Sequence, residues 1–571
     1  MKLQKAVPSL GQLKWVIFVI RTPISILLPI LTHLEISMTA YARALNSRKS
    51  TPQSMPIPGR ESEMAQNHAG GFAFVLSPLD QLRRFLILGS EGNTYYATEQ
   101  QMTAGATKNI RALLRDSDGT AAVQMVSDIS DKGLAPKVSP ALYVLAMAFA
   151  SKNLATKQAA RIAFSTVVRT HSHLLEFVSY VNELRGWGRM LRETVAHWYN
   201  SMDIDKLGYQ LAKYRNRSTW TTRDVLRMAH PKAEDEVRNN LYKWCVGKDE
   251  ESTFLPAIVH NHQIAMSDPD LSYKKKALAL IEEGLTREMI PNTWLNDRDI
   301  WDALLQKMPL TALIRNLGKM SNVGLLLPFS EASKLVVSKL QDVEYLRRSR
   351  IHPLGVLLAY STYKIGSGVK GNLSWKPVPQ IVDALEGAFY DAFGNIEPTN
   401  KNIMIAIDVS GSMGGGSIAG THLVPSQVTA ALAMVAARTE PNYMVMGFNT
   451  KFIDLGITAR DTLGTATSKT VSRTFGGTDA SVAMDYARVQ KLPVENFLVI
   501  TDNETWAGRT HPAQALKIYR KEMGINARLA FMATSATNVS LADPLDPGML
   551  DVVGFDASAP QVLSSFFKGE V

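Results

Sequence analysis

The sequence predicts a mainly helical chain that ends in an α/β domain. Two observations predict this class: amphipathic segments follow one another from residue 64 to 395, and strand-like runs alternate with helix-like runs from residue 396. Apolar residues at three- and four-residue spacing indicate surface helices, whereas regular alternation indicates a mostly parallel sheet covered by helices. With 571 residues, of which 46% are apolar and 20% charged, the chain can build several cores.

The net charge of +10 is unevenly spread. Residues 1–60 carry +7, residues 61–395 carry +5 and residues 396–571 carry −2. This distribution places any contact with a polyanion in the front part of the chain. Cys245 is the single cysteine, which excludes a disulfide framework and a cysteine-based zinc site and fits a reducing compartment.

We assign residues 1–63 to an N-terminal extension and flexible linker. The apolar run Trp15–Leu34 is long enough to span a bilayer. One arginine and two prolines interrupt it: Arg21, Pro23 and Pro29. Three interpretations stay open, namely a dispensable extension ahead of a start such as Met38, a signal or anchor, and a packed helix; we favour the first. Residues 46–63 are rich in Pro, Ser and charge and predict a flexible linker.

Residues 64–395 predict stacked helices. Short amphipathic helices are expected at 139–150, 156–168, 171–184 and 187–200. Such helices bury their apolar faces only by packing on one another, which is the arrangement of an α-solenoid. No strict internal period is present, so irregular helix pairs are expected, with a compact all-α domain as the alternative.

One portion of the helical part is strongly basic. Between Arg185 and Lys232 the sequence has ten Lys and Arg residues but four acidic residues. The densest stretch contains Tyr214 and Trp220 among its cations, which are Lys213, Arg215, Arg217, Arg223, Arg227 and the nearby His230. Cations neutralise phosphates and aromatic rings stack on unpaired bases, so the stretch is a candidate RNA contact. The alternative is a solvated helix face whose aromatic residues lie in the core.

Residues 396–571 predict a doubly wound α/β domain. Strands are expected at 403–407, 443–448, 497–501 and 528–533, and helices at 426–438, 480–490, 512–523 and 560–567. Ligands of such sheets bind at the carboxyl ends of the strands. Three loops place oxygen donors there, and the predicted metal ligands are Asp408, Ser410, Ser412, Thr478 and Asp502. Carboxylates and hydroxyls suit Mg²⁺, and capping of helix N-termini is the alternative role.

The metal-site pattern resembles the von Willebrand factor A domain and its metal-ion-dependent adhesion site. The longer stretches "GWGRMLRETVAHWYN" (186–200), "KYRNRSTWTTRDVLRMAHPK" (213–232) and "TDNETWAG" (501–508) resemble the Ro autoantigen, or TROVE-domain, family in its bacterial form. The resemblance covers about residues 64 to 571. It implies a ring of HEAT-like helical repeats (64–395) closed by a Rossmann-like A domain (396–571).

The resemblance also implies a function. Relatives bind small non-coding Y RNA outside the ring and misfolded or single-stranded RNA 3′ ends in its hole, and cooperate with 3′→5′ exoribonucleases in RNA quality control. By motif, the Y RNA contacts fall on Lys213, Arg217 and His230, although Ser-Thr follows Arg217 where relatives often have Asn-Gly. Mg²⁺ in this family keeps an open position that a partner's carboxylate completes.

From the resemblance we expect a cytoplasmic, monomeric protein. We also expect it to be non-catalytic, because the residues around the metal loops supply no general base or nucleophile. Two alternatives come from other classes of protein. One is an A-domain scaffold that binds protein without RNA. The other is a Mg²⁺-dependent phosphotransfer enzyme.

Overall fold

The computed structural model describes residues 50–88, 107–116, 118–217, 219–248, 254–368, 372–394, 396–414, 423–471, 476–535, 537–554 and 556–570. The apolar run Trp15–Leu34 and Met38 lie outside these ranges. Within them, no helix combines the length and apolar character that crossing a bilayer requires.

Helices dominate the chain between residues 78 and 391. Their bounds are Pro78–Leu88, Gly119–Lys132, Ser139–Ala150, Leu154–Val167, His171–Leu184, Arg189–Ser201, Ile204–Lys213, Thr222–Ala229, Glu236–Val246, Ala257–Met266, Lys274–Glu282, Arg298–Lys307, Leu310–Asn322, Glu331–Gln341, Val343–Ser349, Pro353–Ile365 and Pro379–Asp391. The predicted helices 139–150 and 171–184 have the observed bounds. The other two predicted helices agree within two residues at each end.

These helices pack as stacked layers. The helix Ser139–Ala150 contacts each of the two helices that follow it. Phe149, Phe164 and Phe177, one from each helix, meet edge to face with ring centroids 5.1–5.9 Å apart. Such aromatic contacts add about 0.5–1.5 kcal/mol each beyond the burial of their surface.

The helical part closes on itself. The Arg350 guanidinium donates to the carbonyl oxygen of Asp131 (2.6 Å), and His352 Nε2 hydrogen bonds to the carbonyl oxygen of Leu134 (3.1 Å). These bonds join segments 219 and 218 residues apart in sequence. The result is a ring around a cavity of about 1460 Å³.

The C-terminal domain contains the main sheet. The strands among the described residues are β1 Met64–Gln66, β2 Phe72–Val75, β3 Asn216–Arg217, β4 Trp220–Thr221, β5 Ile403–Asp408, β6 Tyr443–Phe448, β7 Phe452–Asp454, β8 Asn496–Thr501, β9 Arg528–Ala533, β10 Val539–Ser540 and β11 Met549–Val553. The main sheet has the order β11-β9-β8-β5-β6-β7. Its strands are parallel except for the edge strand β7. The mostly parallel α/β sheet predicted from the sequence is confirmed.

The helices of this domain are Pro425–Thr439, Leu463–Val471, Val482–Val489, Pro512–Met523 and Ala559–Lys568. Sequence reasoning missed β7, β11 and the helix Leu463–Val471. β7 has only three residues, β11 carries Asp551 in its middle, and Leu463–Val471 is rich in small and polar residues. None of the three therefore shows a clear apolar period.

The N-terminal residues differ from the prediction. Strands β1 and β2 form a small antiparallel sheet with β10, so they belong to the surface of the C-terminal domain. Gln53, Ile57 and Arg60 are buried, and Arg60 donates to the Asp543 carboxylate (2.6 Å). The flexible linker predicted for 46–63 is therefore wrong for its described part, 50–63, because a buried ion pair and apolar contacts hold that part in place.

Candidate functional sites

The basic surface is built around the helix Thr222–Ala229. A capping box starts this helix: Thr221 Oγ1 accepts from the Asp224 N–H (3.2 Å), and the Asp224 carboxylate accepts from the Thr221 N–H (3.0 Å). Both bonds satisfy N–H groups that a helix leaves unpaired at its start. One face of the helix is buried through Val225, Leu226 and Ala229, which leaves the opposite face to solvent.

Three cationic or titratable side chains lie on that opposite face. Arg223, Arg227 and His230 are exposed, and their spacing of four and three residues aligns them along one side of the helix. His230 ends the helix in the left-handed conformation (φ 48°, ψ 52°). The three side chains form a stripe that presents its nitrogen donors to solvent.

Lys213 and Arg215 lie at the end of the helix Ile204–Lys213. Lys213 Nζ donates to the Tyr209 hydroxyl (3.1 Å) and lies 3.8 Å from the Glu288 carboxylate. Burial lowers the pKa of Lys213, but these contacts outweigh it and the net pKa is raised. The lysine is charged, yet only 15% of its side chain is exposed. Arg215 is exposed and its guanidinium lies 4.6 Å from the ring centroid of Trp244.

A short hairpin continues the basic surface. Strands β3 and β4 pair Arg217 with Trp220, which places the backbone of Arg217 beside the basic helix. The side chain of Arg217 lies outside the described atoms. Thr219 adopts φ 69°, a left-handed conformation that a β-branched residue takes at a cost and a glycine takes readily. Of the Ser-Thr pair noted in the sequence, Thr219 therefore adopts a conformation that suits the glycine relatives often have there.

Sequence reasoning missed a residue beneath this surface. His171 is buried, with Nδ1 bonded to the carbonyl oxygen of Tyr214 (2.7 Å) and Nε2 to the Tyr199 hydroxyl (2.9 Å). Burial lowers the pKa of His171 to about 4, so the ring is neutral at physiological pH. It donates to Tyr214 and accepts from Tyr199. The bond to Tyr214 holds the backbone between Lys213 and Arg215. No local sequence motif predicts this bond.

The central cavity is basic as well. Six of its described lining residues are Lys or Arg, against one acid, Glu176. The cations are Lys137, Arg169, Arg287, Arg315, Lys319 and Arg350. Burial, followed by repulsion from Arg350, lowers the pKa of Arg169, which is the behaviour expected where like charges crowd. These residues come from five separate stretches of sequence.

Two predicted metal ligands lie at neighbouring strand ends. Asp408 ends β5 and is buried; its carboxylate accepts from the Ser410 N–H (2.9 Å) and from the Thr501 hydroxyl (2.6 Å). Asp502 follows β8, the parallel neighbour of β5, and accepts from the Glu504 N–H (3.0 Å). Burial raises the pKa of Asp408 above its ordinary value, although its hydrogen bonds oppose the rise. A bound cation would favour the charged carboxylate at this position.

Thr478 completes the described part of this site. Its carbonyl oxygen accepts from the N–H groups of Trp506 (3.1 Å) and Ala507 (3.0 Å), which ties the two loops together. Its buried hydroxyl has no hydrogen-bond partner among the described residues. Ser410 is buried next to Asp408, and the side chain of Ser412 lies outside the described atoms.

The donor set fits a hard cation. Two buried carboxylates and two buried hydroxyls lie on loops that hydrogen bonds link, and among the described residues the Thr478 hydroxyl lacks the partner that buried polar groups normally have. A small cation with oxygen ligands would supply that partner. No group of three or more His, Cys, Asp or Glu suited to a metal occurs in the described ranges, so the donor set depends on hydroxyls.

Both halves of the chain are similar to known proteins. The family model of the TROVE domain matches residues 65–257 and 263–366, and that of the Ro60 vWA domain matches residues 402–567. The RNA-binding protein RO60 of Deinococcus radiodurans is 42% identical over 540 residues, which cover 94% of this chain and 100% of the relative. The RNA-binding protein RO60 of Caenorhabditis elegans is 32% identical over 583 residues, covering 89% of this chain and 90% of the relative.

A solved structure agrees with this assignment. The crystal structure of the Deinococcus radiodurans RO (RSR) protein superposes with a TM-score of 0.65 at 40% identity, and the match covers 87% of this chain and 100% of that chain. The helical ring and the α/β domain therefore both resemble the Ro60 relatives, in sequence and in fold. The chain belongs to the Ro60 family of TROVE-domain proteins.

Proposed function

We propose that this protein binds a small structured non-coding RNA, of the Y RNA type, on its basic outer surface. The observation that carries the proposal is the exposed stripe Arg223–Arg227–His230 beside Arg215 and β3. Guanidinium groups pair with phosphate oxygens and release counterions from the RNA. Relatives that are 42% and 32% identical are RNA-binding proteins by name, which supports the proposal.

A second RNA site is proposed in the central cavity. Its six cations suit the backbone of a single strand, and we assign misfolded or single-stranded RNA 3′ ends to it. The ring would then hold an RNA end while a 3′→5′ exoribonuclease processes it, as a binding component of cytoplasmic RNA quality control. We assign the protein itself no catalytic step and propose that it acts as a monomer.

For the C-terminal domain we propose a Mg²⁺ site. Asp408, Asp502, Thr478 and Ser410 would hold the ion, with Ser412 as the fifth ligand predicted from the sequence. The buried Thr478 hydroxyl, which has no hydrogen-bond partner in the part of the chain that the structure describes, supports this assignment. Bound Mg²⁺ would supply an electrophilic docking point for the carboxylate of a protein partner.

Two measurements test the RNA proposal. Crosslinking and sequencing of RNA bound in the native cell should recover one abundant structured RNA together with heterogeneous 3′ ends. Purified protein should bind the structured RNA with an affinity that falls steeply with salt and should leave the RNA intact. Affinity independent of salt, or no RNA enriched over a mock control, would overturn the proposal. RNA turnover by the purified protein would instead support the phosphotransfer alternative.

A further inference from the structure

Two of the three loops that carry the proposed metal ligands are held by a segment that precedes the helical ring. Gln53 is buried and its Nε2 donates to the Asp479 carboxylate (2.9 Å), directly after Thr478. The Oε1 atom of the same residue accepts from the Thr505 hydroxyl, three residues after Asp502. One glutamine therefore bridges the Thr478 loop and the Asp502 loop.

Asn67 makes a second bridge. Its Nδ2 donates to the carbonyl oxygens of Thr505 (2.8 Å) and Asn503 (3.2 Å), and its Oδ1 accepts from the Gly71 N–H (2.8 Å). Asn67 is buried, so these bonds lie away from water and would be costly to leave unmade. The backbone on both sides of Glu504 is thereby fixed by a residue more than 400 positions earlier.

Glu504 is itself held by the same segment. Its carboxylate accepts from the Ala69 N–H (2.9 Å) and contacts His68 Nδ1 (3.0 Å). The Glu504 N–H in turn donates to Asp502. A chain of hydrogen bonds thus runs from the N-terminal segment through Glu504 to the predicted ligand Asp502.

The segment and the Asp502 loop pack so closely that two glycines at their contact leave no room for a side chain. A Cβ atom at Gly71 would lie 1.9 Å from the Thr505 carbonyl oxygen, and one at Gly508 would lie 2.1 Å from Gln53 Nε2. Both distances are far below van der Waals contact. At Gly71 the backbone of the segment therefore touches the backbone of the Asp502 loop, and at Gly508 the loop backbone touches the Gln53 side chain.

We propose that residues 51–75 are an integral part of the metal site, with Gln53 and Asn67 as positioning residues for the ligand loops. The inference rests on the proposed metal site and extends it: residues 396–571 alone contain the ligands but lack the segment that orders them. Groups that orient metal ligands contribute about 10- to 100-fold to metal affinity. The helix Pro78–Leu88 begins three residues further on, so the same segment joins the ring to the metal loops.

The test uses the full chain and Mn²⁺, read by its electron paramagnetic resonance signal and competed with Mg²⁺. We expect Asn67→Ala, and separately Gln53→Ala, to weaken Mn²⁺ binding about 10-fold or more. The control is Arg60→Lys, which disturbs the same segment at its bond to Asp543, away from the metal loops. It should lower the melting temperature and change Mn²⁺ affinity less than about twofold, because the Glu63 and Asp543 carboxylates that Arg60 binds belong to neither metal loop.

The outcomes separate two failures. If the wild-type protein does not bind Mn²⁺, the proposed metal site itself is wrong. If the wild type binds and the Asn67 and Gln53 variants bind as tightly, the segment does not position the ligands. Equal weakening in the Arg60→Lys control would assign the effect to lost stability and overturn the inference as well.

Discussion

Replacing Arg223 and Arg227 together by alanine should weaken RNA binding in a salt-dependent way. Both side chains are exposed on the face opposite Val225 and Leu226, and neither forms an ion pair with another described residue. Exposed substitutions of this kind change the free energy of unfolding by about 0.5 kcal/mol or less. A loss of binding would therefore report on contact with RNA.

The size of the effect follows from counterion release. Each phosphate contact contributes about 0.9 to the slope of log affinity against log salt, so two lost contacts should flatten the slope by about 1.8. Between 50 and 200 mM salt, a fourfold change, the wild type should lose about 12-fold more affinity than the variant. Filter binding or fluorescence anisotropy with a small structured RNA measures both quantities.

A matched control removes the same charge elsewhere. Lys521 and Arg460 are exposed in the C-terminal domain, and their double alanine variant should keep the wild-type slope. An Arg223/Arg227 variant that folds and keeps the wild-type slope would refute the assignment of the RNA to this surface. Equal flattening by the control would show that net charge, rather than this stripe, governs binding.

Three further predictions concern single residues. His230→Ser should weaken binding of the structured RNA in the same assay without lowering the melting temperature, since the side chain is exposed; unchanged binding would exclude His230 as a contact. Thr478→Val should abolish the rise of melting temperature with Mg²⁺. Because the change removes a buried hydroxyl that has no partner among the described residues, it should also raise the free energy of unfolding without metal by about 1 kcal/mol; calorimetry with and without Mg²⁺ decides both. His171 has a folded-state pKa of about 4, below its usual 6.5, so the unfolded state binds the extra proton as the pH falls from 6.5 to 4. Stability should drop there, by about 2 kcal/mol at pH 5, and His171→Asn should reduce that drop in urea unfolding at pH 7.5 and 5; equal drops would contradict the buried neutral ring.

Local patterns determined most of the elements. The apolar period of "HSHLLEFVSYVNEL" gives the observed helix His171–Leu184, and the continuous apolar run before Asp408 gives the buried strand β5. Because parallel strands end at one edge of a sheet, the sequence also placed Asp408 and Asp502 side by side. The spacing of apolar residues and the ends of strands depend on short stretches of sequence, so a single sequence is enough to predict them.

Contacts between distant residues had to come from the tertiary structure. The Pro- and Ser-rich stretch before residue 64 has no period, yet Gln53 and Arg60 become buried because partners more than 400 residues away supply a carboxylate and a hydroxyl. The cavity cations gather only when the ring closes through Arg350 and His352. Gln53 and Arg60 find their partners because the N-terminal segment packs against the C-terminal domain. The cavity cations come together because the ring closes. Both are contacts between distant parts of the chain, so no short window of sequence predicts them.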